Sequence, residues 1–298
     1  MRLSPTATGW ACSRPWEAAR VTLLRDPILE LATVTPLPEG GEGPTLDAAS
    51  VRALAERFDM PGYEIEAHAL EVGVVPLRYL RNRSALDDQA QMRLLRSRVA
   101  LVGLGGLGGS LLEQCLRLGI GHIRAADGDA FEESNLNRQA LSTTDGLGLS
   151  KTAAALDRAE SVNPSVRLEP WNEFLTAETL PGFLTGCGVA LDALGGLGFR
   201  PALQAAAAEA GIPLVTGALA GWTGYVGVVL PGQPGPADIM GTDNSVERQL
   251  GCPMPTVALL ASLMAAETAR LLSGSPSPLA GKMIIIDLAS LSFECISL

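Results

Sequence analysis

The stretch from Arg98 to Gln139 decides the fold, because it contains RVALVGLGGLGG (98–109) followed closely by IRAADGDAFEESNLNRQ (123–139). The apolar run Val99 to Val102 predicts a strand, since it is short and contains β-branched residues. The amphipathic run Leu107 to Leu118 predicts a helix. A strand, a glycine turn and a helix in this order indicate the start of a nucleotide-binding βαβ unit.

Four glycines occupy the turn between this strand and this helix. They are Gly103, Gly105, Gly106 and Gly108. Glycine allows a sharp turn and lets the backbone come close to a ligand. The N-terminus of the following helix offers unpaired N–H groups and a positive dipole end, both of which attract phosphate. The turn therefore predicts an anionic nucleotide as the ligand.

A second predicted strand, Ile123 to Ala126, ends directly before Asp127. A carboxylate at that position can accept hydrogen bonds from the hydroxyls of a ribose. These features complete a mononucleotide-binding half, but they also suit an NAD-dependent oxidoreductase. The glycine turn alone therefore leaves that class open as a remote alternative.

A polar cassette after the second strand separates these possibilities. Asn135, Asn137, Arg138 and Gln139 place amides and a guanidinium there, and Lys151 begins the next predicted helix. An arginine and a lysine at the carboxyl edge of a parallel sheet suit a triphosphate whose α-phosphorus is attacked. Hydride transfer leaves these residues without a role. The simpler alternative is a solvated polar loop.

The order GxGGxG, DxD, SNLNRQ and then a lysine resembles the ubiquitin-activating E1-like superfamily, in its bacterial ThiF/MoeB/HesA form. The resemblance covers roughly Leu77 to the C-terminus. It implies an adenylyltransferase that uses ATP and Mg²⁺. The implied substrate is the C-terminal glycine carboxylate of a small ubiquitin-like sulfur carrier protein of the MoaD/ThiS type, which ends in Gly-Gly. The implied purpose is sulfur transfer in cofactor biosynthesis.

The resemblance also implies roles for individual residues. Asp127, in the DxD pair with Asp129, corresponds to the ribose ligand. The implied phosphate ligands are Asn135, Arg138 and Lys151, beside the four glycines of the turn. Upstream, RYLRN (78–82) resembles an element whose second arginine, here Arg81, reaches the ATP of the partner in a homodimer. Arg81, Arg138 and Lys151 are therefore the expected catalytic residues.

One segment departs from the family pattern. Where relatives have DxxDNxxxR, this chain has Asp192-Ala-Leu-Gly195-Gly-Leu-Gly-Phe-Arg200. Gly195 therefore stands in the place of the Mg²⁺-binding aspartate, and Asp192 is expected to contact the nucleotide. Loss of that carboxylate weakens metal binding. Either Asp192, Asp129 or water substitutes for it, or the protein is a degenerate E1-like protein that binds nucleotide or a partner without catalysis.

The five cysteines include no CxxC pair, so no structural zinc site is expected. Cys115 and Cys187 lie in apolar surroundings and are expected in the core. Cys252 follows a polar loop that contains Asp243, Asn244, Glu247 and Arg248. It is the one candidate for a catalytic thiol, with simple packing as the alternative.

The composition excludes several functional classes. With 298 residues, 47% of them hydrophobic, the chain can bury a large core. A net charge of −10 argues against a nucleic-acid partner. Neither a secretion signal nor a membrane-spanning apolar run is apparent, so a cytoplasmic protein is expected. The two histidines, His68 and His122, argue against histidine metal sites and a Ser-His-Asp triad.

The chain is expected to have two parts. Residues 1–75 form a small α+β appendage, with strands at Ala19 to Leu24, Ile28 to Thr35 and Tyr63 to Val75, and a helix from Leu46 to Phe58. Residues 76–298 form the adenylation domain. Its strands and helices alternate, which predicts an α/β, Rossmann-like, doubly wound sheet that is mainly parallel and has antiparallel C-terminal strands.

Overall fold

The computed structural model describes residues 15–241 and 249–298, and for residues 15–22 it describes the backbone alone. The helices are α1 (Pro15–Leu31), α2 (Ala48–Phe58), α3 (Gly62–Glu71), α4 (Asp88–Leu95), α5 (Gly106–Leu118), α6 (Lys151–Val162), α7 (Leu180–Leu184), α8 (Arg200–Glu209) and α9 (Met254–Ser273). The strands are β1 (Thr33–Pro36), β2 (Glu42–Leu46), β3 (Val75–Pro76), β4 (Arg98–Val102), β5 (His122–Ala126), β6 (Arg167–Trp171), β7 (Val189–Asp192), β8 (Leu214–Ala220), β9 (Thr223–Val229), β10 (Lys282–Asp287) and β11 (Ser292–Ser297).

The main sheet has eight strands in the order β11-β10-β9-β8-β7-β4-β5-β6. Strands β6, β5, β4, β7 and β8 are parallel, whereas β9, β10 and β11 continue the sheet in antiparallel fashion. The strand order reverses at β4, which pairs with β5 on one side and with β7 on the other. The predicted fold class is confirmed, and ligands of such sheets bind beside the carboxyl ends of the strands at that reversal.

Both faces of the parallel strands are buried under helices. Leu101 packs into a cluster with residues of α5, α6 and α9, whereas its neighbours Ala100 and Val102 pack into a second cluster with α7 and α8. Successive strand residues point to opposite faces, so an apolar run with no polar alternation fits a sheet covered on both sides.

Helix α9 belongs to this core. It packs against α5 and β8, and its residues Leu260 and Met264 have no exposed surface. Within the described residues it is the one helix whose length and composition would also suit a membrane span, and 56% of that stretch is buried inside the fold. Much of its apolar surface is therefore used in packing.

Residues 33–76 contribute a second sheet of three short strands, in which β1 and β2 are antiparallel and β2 and β3 are parallel. The strands predicted at Ala19 to Leu24 and from Ile28 are wrong, because helix α1 runs through this region as far as Leu31. Leu24 and Ile28 are one helical turn apart and are both buried, whereas Leu23 and Leu29 are exposed. That spacing is helical.

The strand predicted from Tyr63 to Val75 is also wrong, because helix α3 occupies most of it. Ile65 and Ala69 pack against α1 and α2, whereas Ala67 and Leu70 pack against the segment that contains Tyr79. The helix is therefore buried on two sides. Its apolar residues are spread around the helix axis, and in the sequence this distribution looks like strand alternation.

Candidate active site

The glycine turn between β4 and α5 combines two kinds of glycine. Gly103 has φ +95°, and a Cβ on it would lie 2.6 Å from the carbonyl oxygen of Ala193. A Cβ on Gly108 would lie 1.9 Å from the carbonyl oxygen of Gly103. At Gly105, in contrast, the nearest atom to a Cβ would be 3.8 Å away. Gly103 and Gly108 therefore allow close packing, whereas Gly105 leaves open space beside the helix N-terminus.

Asp127 is held at the end of β5 by two backbone N–H groups. Leu104 donates to Asp127 Oδ2 at 2.7 Å, and Asp129 donates to Asp127 Oδ1 at 2.9 Å. The first bond fastens the carboxylate to the glycine turn. Asp127 is thus fixed where the predicted ribose ligand should be, beside the turn that would receive phosphate.

Lys151 begins helix α6, whose first turn is capped by the Ser150 hydroxyl. Its Nζ lies 2.9 Å from Asp129 Oδ2 and 3.8 Å from Asp127 Oδ2. The side chain is only 8% exposed. A buried ammonium group is stable when carboxylates accompany it, and here the two aspartates hold its charge close to the glycine turn.

The polar cassette begins at a short 3₁₀ turn, Glu133–Asn135. Asn135 Oδ1 accepts the N–H of Glu132, the residue before this turn, at 3.1 Å. Arg138 Nη1 donates to the carbonyl of Ser134 and to Asn137 Oδ1, each at 2.9 Å. No other nitrogen of the Arg138 side chain has a hydrogen bond within the described residues. The turn therefore orients the guanidinium and leaves donors for a ligand.

These groups surround one cavity of about 1080 Å³ at the carboxyl ends of β4, β5 and β7. Of the residues predicted from the sequence, the cavity is lined by Gly103, Gly105, Gly106, Asp127, Asp129, Asn135, Arg138 and Lys151. Gly108, Asp192 and Arg81 do not line it. The structure thus brings most of the predicted set together, while binding of nucleotide by these residues stays a prediction.

Asp192 does not fit the predicted role of a nucleotide contact or a substitute metal ligand. It is 1% exposed, and its Oδ2 accepts hydrogen bonds from Arg200 Nη1 at 2.7 Å and Thr216 Oγ1 at 2.6 Å. Its Oδ1 accepts the N–H of Leu194 at 3.2 Å. Arg200 also donates to the carbonyls of Leu194 and Gly196. Asp192 and Arg200 together therefore fix the turn after β7.

Gly195 lies in that turn and lines the cavity. A Cβ on Gly195 would meet no atom within 4 Å, so the space for a longer side chain is open. Asp127 and Asp129 are engaged by backbone N–H groups and by Lys151. In residues 15–241 and 249–298, no group of three His, Cys, Asp or Glu side chains could hold a metal ion. A Mg²⁺ ion bound together with ATP needs only one or two carboxylates besides phosphate oxygens and water, so its binding here stays a prediction.

Arg81 lies in the 3₁₀ segment Leu77–Asn82 and is exposed. The segment is anchored by its neighbours, because Arg78 Nη1 donates to the carbonyl of Val162 at 2.7 Å and Tyr79 is buried. Asn163 donates to the Tyr79 hydroxyl at 3.1 Å. Arg81 does not line the cavity of its own chain, and its action on a partner's site stays a prediction.

Several lining residues had no signal in the sequence. Phe174 follows β6 and is 67% exposed, and its ring packs on the backbone of Gly128, where a Cβ would lie 2.7 Å from it. Gln139, in contrast, was named from the sequence as part of the polar cassette; it is buried beside Gly105, and its Oε1 has no partner within the described residues. The rule that ligands gather at strand carboxyl ends could have indicated Phe174.

Two of the cysteines lie in the core, as the sequence predicted. Cys115 and Cys187 are buried, and burial raises the pKa of the Cys115 thiol to about 12. Cys252 is half-buried on the cavity wall. The residues named in its polar loop, Asp243, Asn244, Glu247 and Arg248, lie outside the described residues, as does Cys12. A catalytic role for Cys252 stays untested.

Comparison with known proteins matches this chain to one family. A model of the ThiF family matches residues 79–298. The sulfur carrier protein adenylyltransferase of Thermus thermophilus is 33% identical over 70% of this chain and 81% of its own length. The sulfur carrier protein ThiS adenylyltransferase of Escherichia coli is 32% identical over 74% of this chain and 91% of its own length.

The fold is also that of a solved structure, PaaA. The two share 19% identity with a TM-score of 0.63, and the match covers 90% of this chain and 98% of PaaA. This likeness concerns the fold alone. It extends over more of the chain than the matches to the two adenylyltransferases, which cover 70% and 74%.

Proposed function

This chain belongs to the ThiF family, and from that premise we propose that it adenylates the C-terminal carboxylate of a small sulfur carrier protein with ATP. The proposed carrier is ubiquitin-like, of the MoaD/ThiS type, and ends in Gly-Gly. One observation carries the proposal: the glycine turn, Asp127, Arg138 and Lys151 all face the same cavity. Two cations beside a helix N-terminus suit a triphosphate better than a neutral ligand.

The positions of the described side chains suggest one orientation for ATP. Its ribose would bind Asp127, and its phosphates would lie beside the N-terminus of α5, where Gly105 has no side chain to occupy the space. Arg138 and Lys151 would then contact the phosphate oxygens. Lys151 could keep its contact with Asp129 and also bind phosphate, since Nζ has three donors. Phe174 offers an exposed ring at the rim on which the purine can stack.

The reaction requires that the two reactants are held in the correct position and that developing negative charge is stabilised. One oxygen of the carrier's carboxylate attacks the α-phosphorus of ATP, and the bond from that phosphorus to the bridging oxygen of the β-phosphate breaks. The products are an acyl-adenylate and pyrophosphate. No general base is needed, because the carboxylate is ionised at neutral pH. Arg138 and Lys151 would stabilise the charge that develops on the phosphate oxygens.

Other parts of the proposal extend the same assignment. Arg81 would complete the site of the partner subunit in a homodimer, since it is exposed and does not line the cavity of its own chain. The acyl-adenylate would serve sulfur transfer in cofactor biosynthesis, in the cytoplasm. Any Mg²⁺ would be bound chiefly by the triphosphate, since Gly195 supplies no carboxylate in the turn after β7.

The test is exchange of labelled pyrophosphate into ATP, with Mg²⁺ present and with carriers of the MoaD/ThiS type that end in Gly-Gly. Exchange that depends on the carrier supports the proposal. A carrier whose last glycine is removed is the control, because it lacks the correctly placed carboxylate. Binding of ATP without exchange for any such carrier would contradict it.

Gly195 favours a second candidate, an E1-like protein that binds nucleotide without turnover. The carboxylate expected in the turn after β7 is absent, and the space for it is open. This candidate predicts that ATP binds, that the native protein supports no exchange, and that Gly195→Asp gains it. The oxidoreductase alternative, in contrast, has no support from the family match.

A further inference from the structure

The candidate active site lies at the carboxyl ends of the parallel strands, whereas a row of basic side chains lies at their amino ends. Arg98 begins β4, His122 begins β5 and Arg167 begins β6. We call these three residues the basic row. We propose that the basic row binds a phosphate-type oxyanion, which the two arginines hold between them. The site is independent of the proposed adenylation, whose residues lie at the other end of the strands.

Strand register places the basic row on one face of the sheet. Arg98 lies opposite His122, and His122 lies opposite Arg167, so the three side chains point the same way. The face is the one covered by α7, since a Cβ on Gly186, just after that helix, would lie 3.2 Å from Arg98 Nη1. Neighbouring strands are about 4.8 Å apart, so the outer two Cα atoms are separated by roughly 10 Å. One anion between the two long side chains can therefore contact both.

The two guanidinium groups of the row have no partner in the part of the chain that the structure describes. Neither Arg98 nor Arg167 makes a side-chain hydrogen bond or an ion pair there. Glu64, on the neighbouring helix α3, is held by Arg96 Nε at 3.4 Å. Two positive charges thus stay uncompensated in a chain whose net charge is −10. An anion that accepts hydrogen bonds from both arginines would compensate them.

Glu169 lies beside the row but does not neutralise it. It accepts hydrogen bonds from Arg124 Nε and Nη2, at 2.9 and 3.2 Å, and its Oε2 lies 3.1 Å from His122 Nε2. Burial is the main cause that lowers the pKa of His122, and Arg98 and Arg167 add to it. Glu169 acts in the opposite direction and does not reverse the shift. The surroundings of the imidazole therefore do not favour a further positive charge.

Tyr63 on α3 adds a hydrogen-bond donor beside the row. Its ring packs on the backbone at the start of β5, since a Cβ on Gly121 would lie 3.0 Å from Tyr63 Cδ2. Burial raises the pKa of Tyr63, with a contribution from Glu64. Arg167 and Arg98 act in the opposite direction, so both lie within electrostatic range of the same hydroxyl. The hydroxyl stays protonated at neutral pH and can donate to an anion that the arginines hold.

The imidazole of His122 provides a local probe, because the chain contains only two histidines. Nitrogen NMR of histidine-labelled protein would follow its ring signals during titration with inorganic phosphate. The titration is made at about pH 8, where an ordinary imidazole is neutral. A parallel titration with sodium chloride at the same ionic strength corrects for screening, and His68→Gln assigns the two sets of signals.

A double variant, Arg98→Gln with Arg167→Gln, removes the two arginines of the row. Its matched control is Arg25→Gln with Arg52→Gln, which removes the same charge from exposed positions on α1 and α2. We expect a saturable shift of the His122 signal in the native protein and in this control. The Kd for phosphate should rise about tenfold or more in the double variant, since two charge-assisted hydrogen bonds are lost. Arg138→Ala should keep the native response, because it changes only the cavity.

A His122 signal that moves equally with phosphate and with chloride would overturn the inference. So would an unchanged Kd in the double variant. If that variant does not fold, Arg167→Gln alone makes the comparison, because its side chain is exposed. Glycerol 3-phosphate is a second probe that separates the sources of the phosphate group: equal binding indicates a phosphate ester, binding of inorganic phosphate alone indicates the free ion, and either result supports the site.

Discussion

Arg138 is the residue that most directly tests the phosphate assignment. Its Nη1 is occupied by Ser134 and Asn137, and its other donors face the cavity. Arg138→Ala should lower the rate of pyrophosphate exchange by roughly 10²–10³, the usual cost of losing one group that stabilises charge in the transition state. The free energy of unfolding should change by less than about 1 kcal/mol, since the side chain is half-buried and locally bonded.

The matched control is Arg117→Ala. Arg117 is exposed on α5 and pairs with Glu113 at 2.7 Å, away from the cavity lining. Exchange and urea unfolding would be measured for both variants. An exchange rate in Arg138→Ala equal to that of Arg117→Ala would remove the phosphate assignment.

Gly195 gives a prediction in which a substitution raises the rate of pyrophosphate exchange. Gly195→Asp should fold normally, because a Cβ there meets no atom within 4 Å. The added carboxylate would supply a Mg²⁺ ligand beside the phosphates. We expect exchange to rise and its half-saturating Mg²⁺ concentration to fall. Gly195→Asn is the control for size, and an equal gain in that variant would show that charge is not the cause.

Glu66 is a buried carboxyl group that joins α3 to the rest of the chain. It is 1% exposed, and it accepts hydrogen bonds from the Tyr79 hydroxyl and the Ser165 hydroxyl, each at 3.1 Å. Arg78 Nε lies 3.6 Å away. Burial raises the pKa of Glu66 from its usual 4.5 to about 7, although Arg78 and the hydrogen bonds act to lower it. The folded protein therefore favours the protonated form.

Linkage fixes the sign of the resulting pH dependence. Because the folded pKa is the higher one, the contribution to stability is complete below pH 4.5 and is lost as pH rises through about 7. The scale is on the order of 1.4 kcal/mol for each unit of pKa difference. Between about pH 5 and about pH 8, Glu66→Gln should gain stability relative to the native protein in urea unfolding. Glu56→Gln, an exposed glutamate on α2, should show no such trend.

The sequence predicted many of the residues around the cavity because they follow one another along the chain at the ends of two strands. Asp127, Asn135, Arg138 and Lys151 all come from 25 consecutive positions. The burial of Asp192 could not be predicted, because nothing in the sequence shows that Arg200 and Thr216 use its oxygens, and its proposed contact with nucleotide stays a prediction. Tyr225, Met283 and Ile285 could not be placed, since their proximity depends on strand pairing between distant segments.

At the level of elements, different glycines of the glycine turn serve packing and ligand binding. Gly108→Ala should destabilise the protein by about 1–3 kcal/mol, as overpacked substitutions do, because the Cβ would lie 1.9 Å from the carbonyl oxygen of Gly103. Gly105→Ala should leave stability almost unchanged, since the nearest atom is 3.8 Å away, but it should weaken ATP binding by occupying the cavity. Urea unfolding and calorimetric titration would compare the two.

If Gly105→Ala lowered the free energy of unfolding more than Gly108→Ala, the turn would have to adapt to a Cβ at position 108. Equal ATP affinity of Gly105→Ala and the native protein would remove Gly105 from the proposed phosphate site.

Strands β4 and β5 of the main sheet were predictable, because each is a short, mainly apolar run that ends at a distinct turn residue, Gly103 or Asp127. Helices α1 and α3 were not. Helix α1 continues through Pro27, which the prediction treated as part of a break between strands. Helix α3 packs on two clusters at once, so its apolar residues do not form a single stripe. In both cases tertiary packing, rather than local pattern, decides the secondary structure.

For the whole molecule, the proposed homodimer predicts complementation between inactive variants. Arg81→Ala and Lys151→Ala should each lose exchange activity. If Arg81 acts on the partner's site, a mixed dimer of the two has one site with both defects and one intact site. Co-expression should then restore about a quarter of the native activity, as random pairing into two-fold dimers requires.

The comparison for this experiment is co-expression of Arg138→Ala with Lys151→Ala. Both of those residues lie in the cavity of the same chain, so every site in the mixed dimer carries a defect. Equal activity in the two co-expressions would exclude action of Arg81 across the dimer.

The arrangement of the main sheet also has an evolutionary consequence. The proposed ATP contacts come from residues 103–174, on the parallel side, whereas Ala218, Tyr225, Met283 and Ile285 line the cavity from the antiparallel side. Mutations on the antiparallel side can alter this apolar lining without replacing any proposed ATP contact. The two parts of the cavity can therefore change independently by mutation, because separate segments of the chain encode them.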